Sequence, residues 1–249
     1  MPTSDHALHI HNLCASIGET SVLSNITFTL PQGMVHGIMG KNGSGKSSLA
    51  RTIMGDPAYQ VLEGKLRYQK QNLLPLSVDK RAQLGLFLAF QNPCILPGVS
   101  VYTLLQEAYQ AQNKKPLSVH EFQTFVQAQL SFLNMESTFL YRNVNEGFSG
   151  GEKKRLELLQ LLVLQPRCMI LDEIDSGLDI EAIHLVANTI AKRMQDDSTA
   201  SALIITHNPK LFASIMPDTV HIMTGGTITY SGDASLLNRL TKEGYDAFK

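Results

Sequence analysis

The stretch Met34–Ala50, MVHGIMGKNGSGKSSLA, decides the fold. The run Val35–Met39 is mostly apolar and reads as a buried strand. It passes straight into a turn holding Gly40, Gly43 and Gly45, and then into KSSLARTIM, a helix stopped by Gly55 with Pro57 beyond. A strand, a glycine turn and a helix in that order aim backbone N–H groups at an anion in front of the helix. Gly40-Lys41-Asn42-Gly43-Ser44-Gly45-Lys46-Ser47 has the two glycines, four intervening residues, then Lys and Ser, of a phosphate loop. Amides of Asn42 to Ser47 can converge on a triphosphate because Gly43 and Gly45 relieve steric limits there. Lys46 would reach the β- and γ-phosphates and Ser47 would bind Mg²⁺, with Ser48 completing the nucleotide contacts.

Outward from this loop, strands and helices alternate. CMILD (168–172) and ALIIT (202–206) read as further strands, LFLAF (86–90) as another, and about 179–195 as a helix. That alternation implies an α/β fold with a mainly parallel sheet covered on both faces. LHIHNLCASI and NITFTL near the start alternate in polarity and suggest an N-terminal antiparallel β part. Thr219–Gly232 reads as a hairpin turning at Gly225-Gly226. Residues 101–146 are helical in pattern, with a polar break at QNKKPLS (112–118). The expected organisation is a discontinuous catalytic core, 1–92 and 160–249, around an inserted helical subdomain, 93–159.

Side chains at the strand ends carry the candidate chemistry, since ligands of open α/β sheets bind there. Asp172 and Glu173 close one strand: Asp172 as a Mg²⁺ ligand, Glu173 as the base that deprotonates an attacking water. Alone, two adjacent acids would be a solvated turn; beside a phosphate loop they gain a purpose. Gln91 ends a second strand, placed for Mg²⁺ and water, and His207 ends a third, placed for the γ-phosphate. His184 falls off the apolar stripe Ile180, Ile183, Ala187 and Ile190 and is expected to be solvated.

The chain has 249 residues, 43% apolar and 17% charged, with a formal net charge of −1. This is an ordinary globular composition with no global pull toward nucleic acid or acidic membranes. MPTSDHALHI has neither a basic leader nor an apolar stretch after it, and no apolar run approaches about 18 residues. Cys14, Cys94 and Cys168 lack metal-ligand spacing, and none is expected to hold a cluster. A reduced, cytoplasmic setting is the simplest expectation.

A second glycine turn, GFSGGEKKR (147–155), also opens onto a helix, and by itself would be a surface loop capping that helix. Together with Gly40–Ser47, Gln91, Asp172-Glu173, Ser176-Gly177-Leu178-Asp179 and His207, it stands in the order and spacing of the ABC-type ATPases, which this chain resembles over most of its length. FQNPCILPGVS (90–100), NVNEGFSGGEKKR (143–155), ILDEIDSGLDIEA (170–182) and VHIMTGGTITYSGD (220–233) are similar to the SufC group of that family, the ATPases of Suf iron–sulfur cluster assembly. Ile174-Asp175 follows the acid where transporter subunits usually have Pro-Thr. The resemblance implies ATP and Mg²⁺. It also implies a transient head-to-tail dimer in which Ser149, Gly150, Gly151 and Glu152 act on the opposite subunit's γ-phosphate, with Ser176–Asp179 along the interface. SufB-like and SufD-like scaffold proteins are the implied partners, docking near Asn92–Ser100 and on the helices after it. Ile17 stands where the family commonly stacks an aromatic on adenine. Lys154 is a candidate to pair with Glu173 and hold it out of place. An ATP-binding subunit of a membrane transporter, or a non-hydrolysing ATP-gated interaction module, remain the alternatives; a DNA-repair ATPase would need long coiled coils for which there is no room.

Overall fold

The computed structural model describes residues 6–91, 93–113, 115, 117–209 and 211–248. Met1–Asp5 of the opening segment, Asn92 of the expected docking stretch, and Lys114 and Pro116 of the polar break lie outside the described residues. Chain order is β1 (His6–Ile17), β2 (Thr20–Pro31), β3 (Val35–Met39), α1 (Lys46–Met54), β4 (Tyr59–Tyr68), β5 (Gln71–Asn72), α2 (Val78–Gln83), β6 (Leu86–Ala89), β7 (Leu96–Ser100), α3 (Val101–Gln112), α4 (Val119–Phe132), β8 (Asn143–Val144), α5 (Gly150–Leu164), β9 (Cys168–Asp172), α6 (Ile180–Asp196), β10 (Ser201–Ile205), α7 (Leu211–Ser214), β11 (Thr219–Thr224), β12 (Thr227–Gly232) and α8 (Ser235–Glu243).

The main sheet runs β12-β11-β3-β10-β9-β6, parallel throughout except for the β11–β12 hairpin. Successive residues of its strands point to opposite faces. Met169 and Leu171 of β9, with Ala202 and Ile204 of β10, enter one core beneath the helices; Cys168, Ile170, Leu203 and Ile205 enter another beneath α1 and the N-terminal sheet. That second sheet, β2-β1-β4-β5, is antiparallel. The fold is therefore α/β with an N-terminal antiparallel part, as the alternation of elements implies.

Several local expectations change. The strand carrying Cys14, β1, is interior to its sheet, because β4 pairs along the side that β2 leaves free. Nothing in the pattern of residues 56–85 announces β4, and its pairing is long-range. Ile180 is not on the buried stripe: as the first residue of α6 it is 74% exposed, and Val186, Ala187 and Ile190 carry the burial instead. His184 is exposed, as expected. The boundary placed at 159/160 falls inside α5, a single helix whose buried leucines pack with both α3–α4 and the main sheet.

Candidate active site

The phosphate loop joins β3 to α1, and Gly45 caps the helix in the left-handed region at φ 100°. Lys46 is buried, its Nζ donating to the Gly40 and Lys41 carbonyls at 2.9 and 3.0 Å. Burial lowers its pKa, and the nearby carboxylates of Glu173 and Asp172 oppose that shift. Ser47 Oγ donates to Asp172 Oδ1 at 3.1 Å, so the two expected metal ligands meet across α1 and β9. Burial raises the Asp172 pKa, and the Ser47 hydrogen bond partly offsets it.

Glu173 is the meeting point of the strand-end residues. Gln91 Nε2 donates to its Oε2 at 2.5 Å, His207 Nδ1 lies 3.3 Å from its Oε1, and Lys46 Nζ is 4.0 Å from the same oxygen. Its backbone sits at φ 49°, a left-handed conformation costing about 1–2 kcal/mol in a residue with a Cβ. The Glu173 N–H donating to Ile205 O at 2.9 Å holds that turn against β10. Lys154 does not approach Glu173: its Nζ pairs with Glu157 Oε2 at 3.1 Å and with the Phe90 carbonyl at 3.3 Å. The expected Lys154–Glu173 latch is therefore replaced by a buried pair three residues apart on α5, one helical turn.

A cleft of about 570 Å³ joins these groups, lined by Asn42, Gly43, Lys46–Ser48, Gln91 and Glu173. It is completed by Thr20–Val22 and by the hairpin turn Gly225-Gly226, none of which the sequence marked as part of the site. Gly226 N–H donates to Ser44 O and its carbonyl accepts from Ser24 N–H, both at 2.9 Å, so the C-terminal hairpin backs the phosphate loop. With φ 80° and a built Cβ only 2.6 Å from Val22 O, that position requires glycine. Ile17, at the end of β1 and 40% exposed, is not among the residues lining the cleft; Thr20–Val22 stand there instead. The Lys41 side chain points away, to Asp246.

The second glycine turn lies elsewhere. Ser149, Gly151 and Glu152 line a separate cleft of about 630 Å³ with Gly177, Leu178 and Asp179, and none of the phosphate-loop residues lines it. Ser149 caps α5 through a reciprocal box with Glu152. Ser149's backbone N–H, and then the Arg142 guanidinium, pull the Glu152 pKa down to about 2. Gly150 and Gly151 are exposed, and a Cβ built on either meets nothing within 4 Å.

A family model described as ABC transporter matches residues 23–176. The chain belongs to this family. It is an ABC-type ATPase, taking ATP with Mg²⁺. The chain is 43% identical to a probable ATP-dependent transporter, ycf16, of Antithamnion sp., across 96% of each protein. It is 45% identical to the ycf16 protein of Pyropia yezoensis across 98% of each, and 45% identical to a probable ABC transporter ATP-binding protein of Streptococcus pyogenes across 96% of this chain and 93% of that one. In fold, this ABC-type ATPase is similar to a nucleotide-free ATP-binding cassette from an ABC transporter, with a TM-score of 0.77, 22% identity, and coverage of 96% and 95%. A dimeric bacterial ABC transporter cassette gives 0.78 at 18% identity, covering 91% and 98%. The donor set fits Mg²⁺: Ser47 Oγ, one Asp172 oxygen and the Gln91 amide are hard ligands, and Mg²⁺ takes few protein groups beside substrate phosphates. Among the described residues no cluster of three His, Cys, Asp or Glu offers a site of another kind.

Proposed function

We propose that the chain hydrolyses ATP as one of two head-to-tail copies and passes the resulting motion to a SufB/SufD-type scaffold in iron–sulfur cluster assembly. In this reading Lys46 and the amides of Asn42–Ser47 hold the triphosphate. Ser47, Asp172 and Gln91 hold Mg²⁺, which neutralises phosphate charge when bound. Glu173 takes the proton of the attacking water, Gln91 orients that carboxylate, and His207 faces the γ-phosphate. Ser149, Gly150, Gly151 and Glu152 of the other copy, with Ser176–Asp179 beside them, complete the pocket.

One observation carries the pairing: the Ser149 turn opens a cleft of its own, and a Cβ built on either of its bare glycines meets none of the described residues within 4 Å. Glycine amides at a helix start suit an incoming phosphate. The scaffold assignment rests on the four stretches similar to the SufC group, Ile174-Asp175 among them; Asp175 is buried and accepts from Thr206 Oγ1 at 3.0 Å, beside His207. The names of the relatives favour a second reading, the ATP-binding subunit of a transporter. Among the described residues no helix is long and apolar enough to cross a membrane, so either reading needs separate partners. A module that only binds ATP is disfavoured by the convergence of Gln91 and His207 on Glu173.

The test is affinity purification of the chain from its native cell, where the cytoplasm is the expected compartment. Co-purifying SufB-like and SufD-like proteins support the scaffold reading. A polytopic membrane protein in their place replaces it with the transporter reading.

A further inference from the structure

After α8 the chain makes a short 3-10 turn, Tyr245–Phe248, that returns to the phosphate loop. Its anchor is Phe248, which is buried. The Phe248 carbonyl accepts from Thr229 Oγ1 of β12 at 2.6 Å, and its ring meets Tyr230 edge-on at 5.6 Å. From that base Asp246 takes the Lys41 ammonium on both oxygens, at 2.9 and 3.0 Å. Tyr245 Oη donates to the His207 carbonyl at 3.3 Å; burial raises the phenol pKa, and the Gly40 backbone N–H partly offsets that shift. Gly40 and Lys41 open the phosphate loop, whereas His207 follows β10. Near this point the β3–β10 ladder carries the bond from Thr206 N–H to Ile38 O, one residue short of His207.

We propose that Tyr245 is a positioning residue for hydrolysis: its hydroxyl ties the His207 main chain to the C-terminal strap beside the phosphate loop and so sets where the imidazole stands relative to that loop. Asp246 on Lys41 pins the strap at its other end. This rests on the reading of His207 as the γ-phosphate contact. A tail that merely packed would use the half-buried ring and have no need of the hydroxyl.

The full-length chain is assayed for ATPase activity across MgATP concentrations, alone and as a double-mutant cycle with His207→Ala. Tyr245→Phe keeps the ring and is expected to leave the melting temperature unchanged and the KM for MgATP within about twofold, while lowering kcat about fivefold, as misplacement of a reacting group does. In the His207→Ala background the same change is expected to lower kcat no further. Asp246→Asn, at the exposed end of the strap, is expected to give a smaller loss that also vanishes in that background. An unchanged kcat in Tyr245→Phe, or an equal loss with and without His207, overturns the proposal while the His207 assignment stands. A His207→Ala chain turning over at the normal rate removes the assignment and the proposal together.

Discussion

Glu173 concentrates the chemistry of the site in a single side chain whose backbone is already turned out of the strand. Glu173→Gln retains the amide and carboxamide contacts but cannot take a proton. It is expected to leave nucleotide binding intact and slow turnover by at least ~10²-fold, checked by single-turnover hydrolysis beside equilibrium binding. Elsewhere a buried histidine contributes to the pH dependence of stability. His221 is buried, its Nε2 3.1 Å from His36 Nδ1 and its Nδ1 2.7 Å from Ser231 Oγ, with Asp218 acting on His36. Burial, and then the His36 charge, push its pKa down to about 3. Unfolded, it takes a proton near the ordinary value of about 6.5, so between those limits the unfolded chain binds more protons and stability rises with pH. Acidification below about 6.5 therefore removes stability, by about 1.4 kcal/mol per pH unit for one proton. His221→Gln is expected to flatten the fall of melting temperature between about pH 6.5 and 5.

At the scale of elements, α1 depends on a residue far from the nucleotide. Arg81 of α2 is buried, with Nη1 donating to the Thr52 and Ile53 carbonyls at 3.0 and 2.7 Å and Nε to Leu76 O at 3.0 Å. It closes the C-terminal end of the helix whose first residues are Lys46 and Ser47. Arg81→Met removes the guanidinium from the Ile53 and Leu76 carbonyls and from Thr52 O, which keeps only the Gly55 N–H at 3.1 Å. The expected loss is about 3 kcal/mol in a denaturant titration with an unchanged slope, together with a raised KM for ATP. The legible parts of the site share a cause: the phosphate loop, the acids after β9, Gln91 and His207 each follow a short apolar strand whose end the sequence marks. Thr20–Val22, Arg81, Tyr245 and the part Gly226 plays at the site were not legible, because each acts through contacts between elements distant in sequence. β4 escaped notice for the same reason: its exposed face hides the alternation, and only its long pairing along β1 makes it a strand.

At the scale of the whole molecule, two clefts on one chain imply a working unit larger than that chain. Under the proposed arrangement, Glu173→Gln saturated with MgATP should sediment at twice the monomer mass, and Ser149→Arg in the same chain should abolish that species. A Glu173→Gln chain that remains a monomer even with its native partners bound would remove the pairing. The empty space around Gly150 and Gly151 then has a genetic consequence. A side chain added there collides with nothing at home, so the altered protein folds, accumulates and keeps its own phosphate loop, yet spoils its neighbour's. Co-expressed with normal copies it would leave one sound pocket in each mixed pair. Mixed with a Lys46-deficient chain it would rebuild one sound pocket in each mixed pair, a complementation that neither defective chain achieves alone.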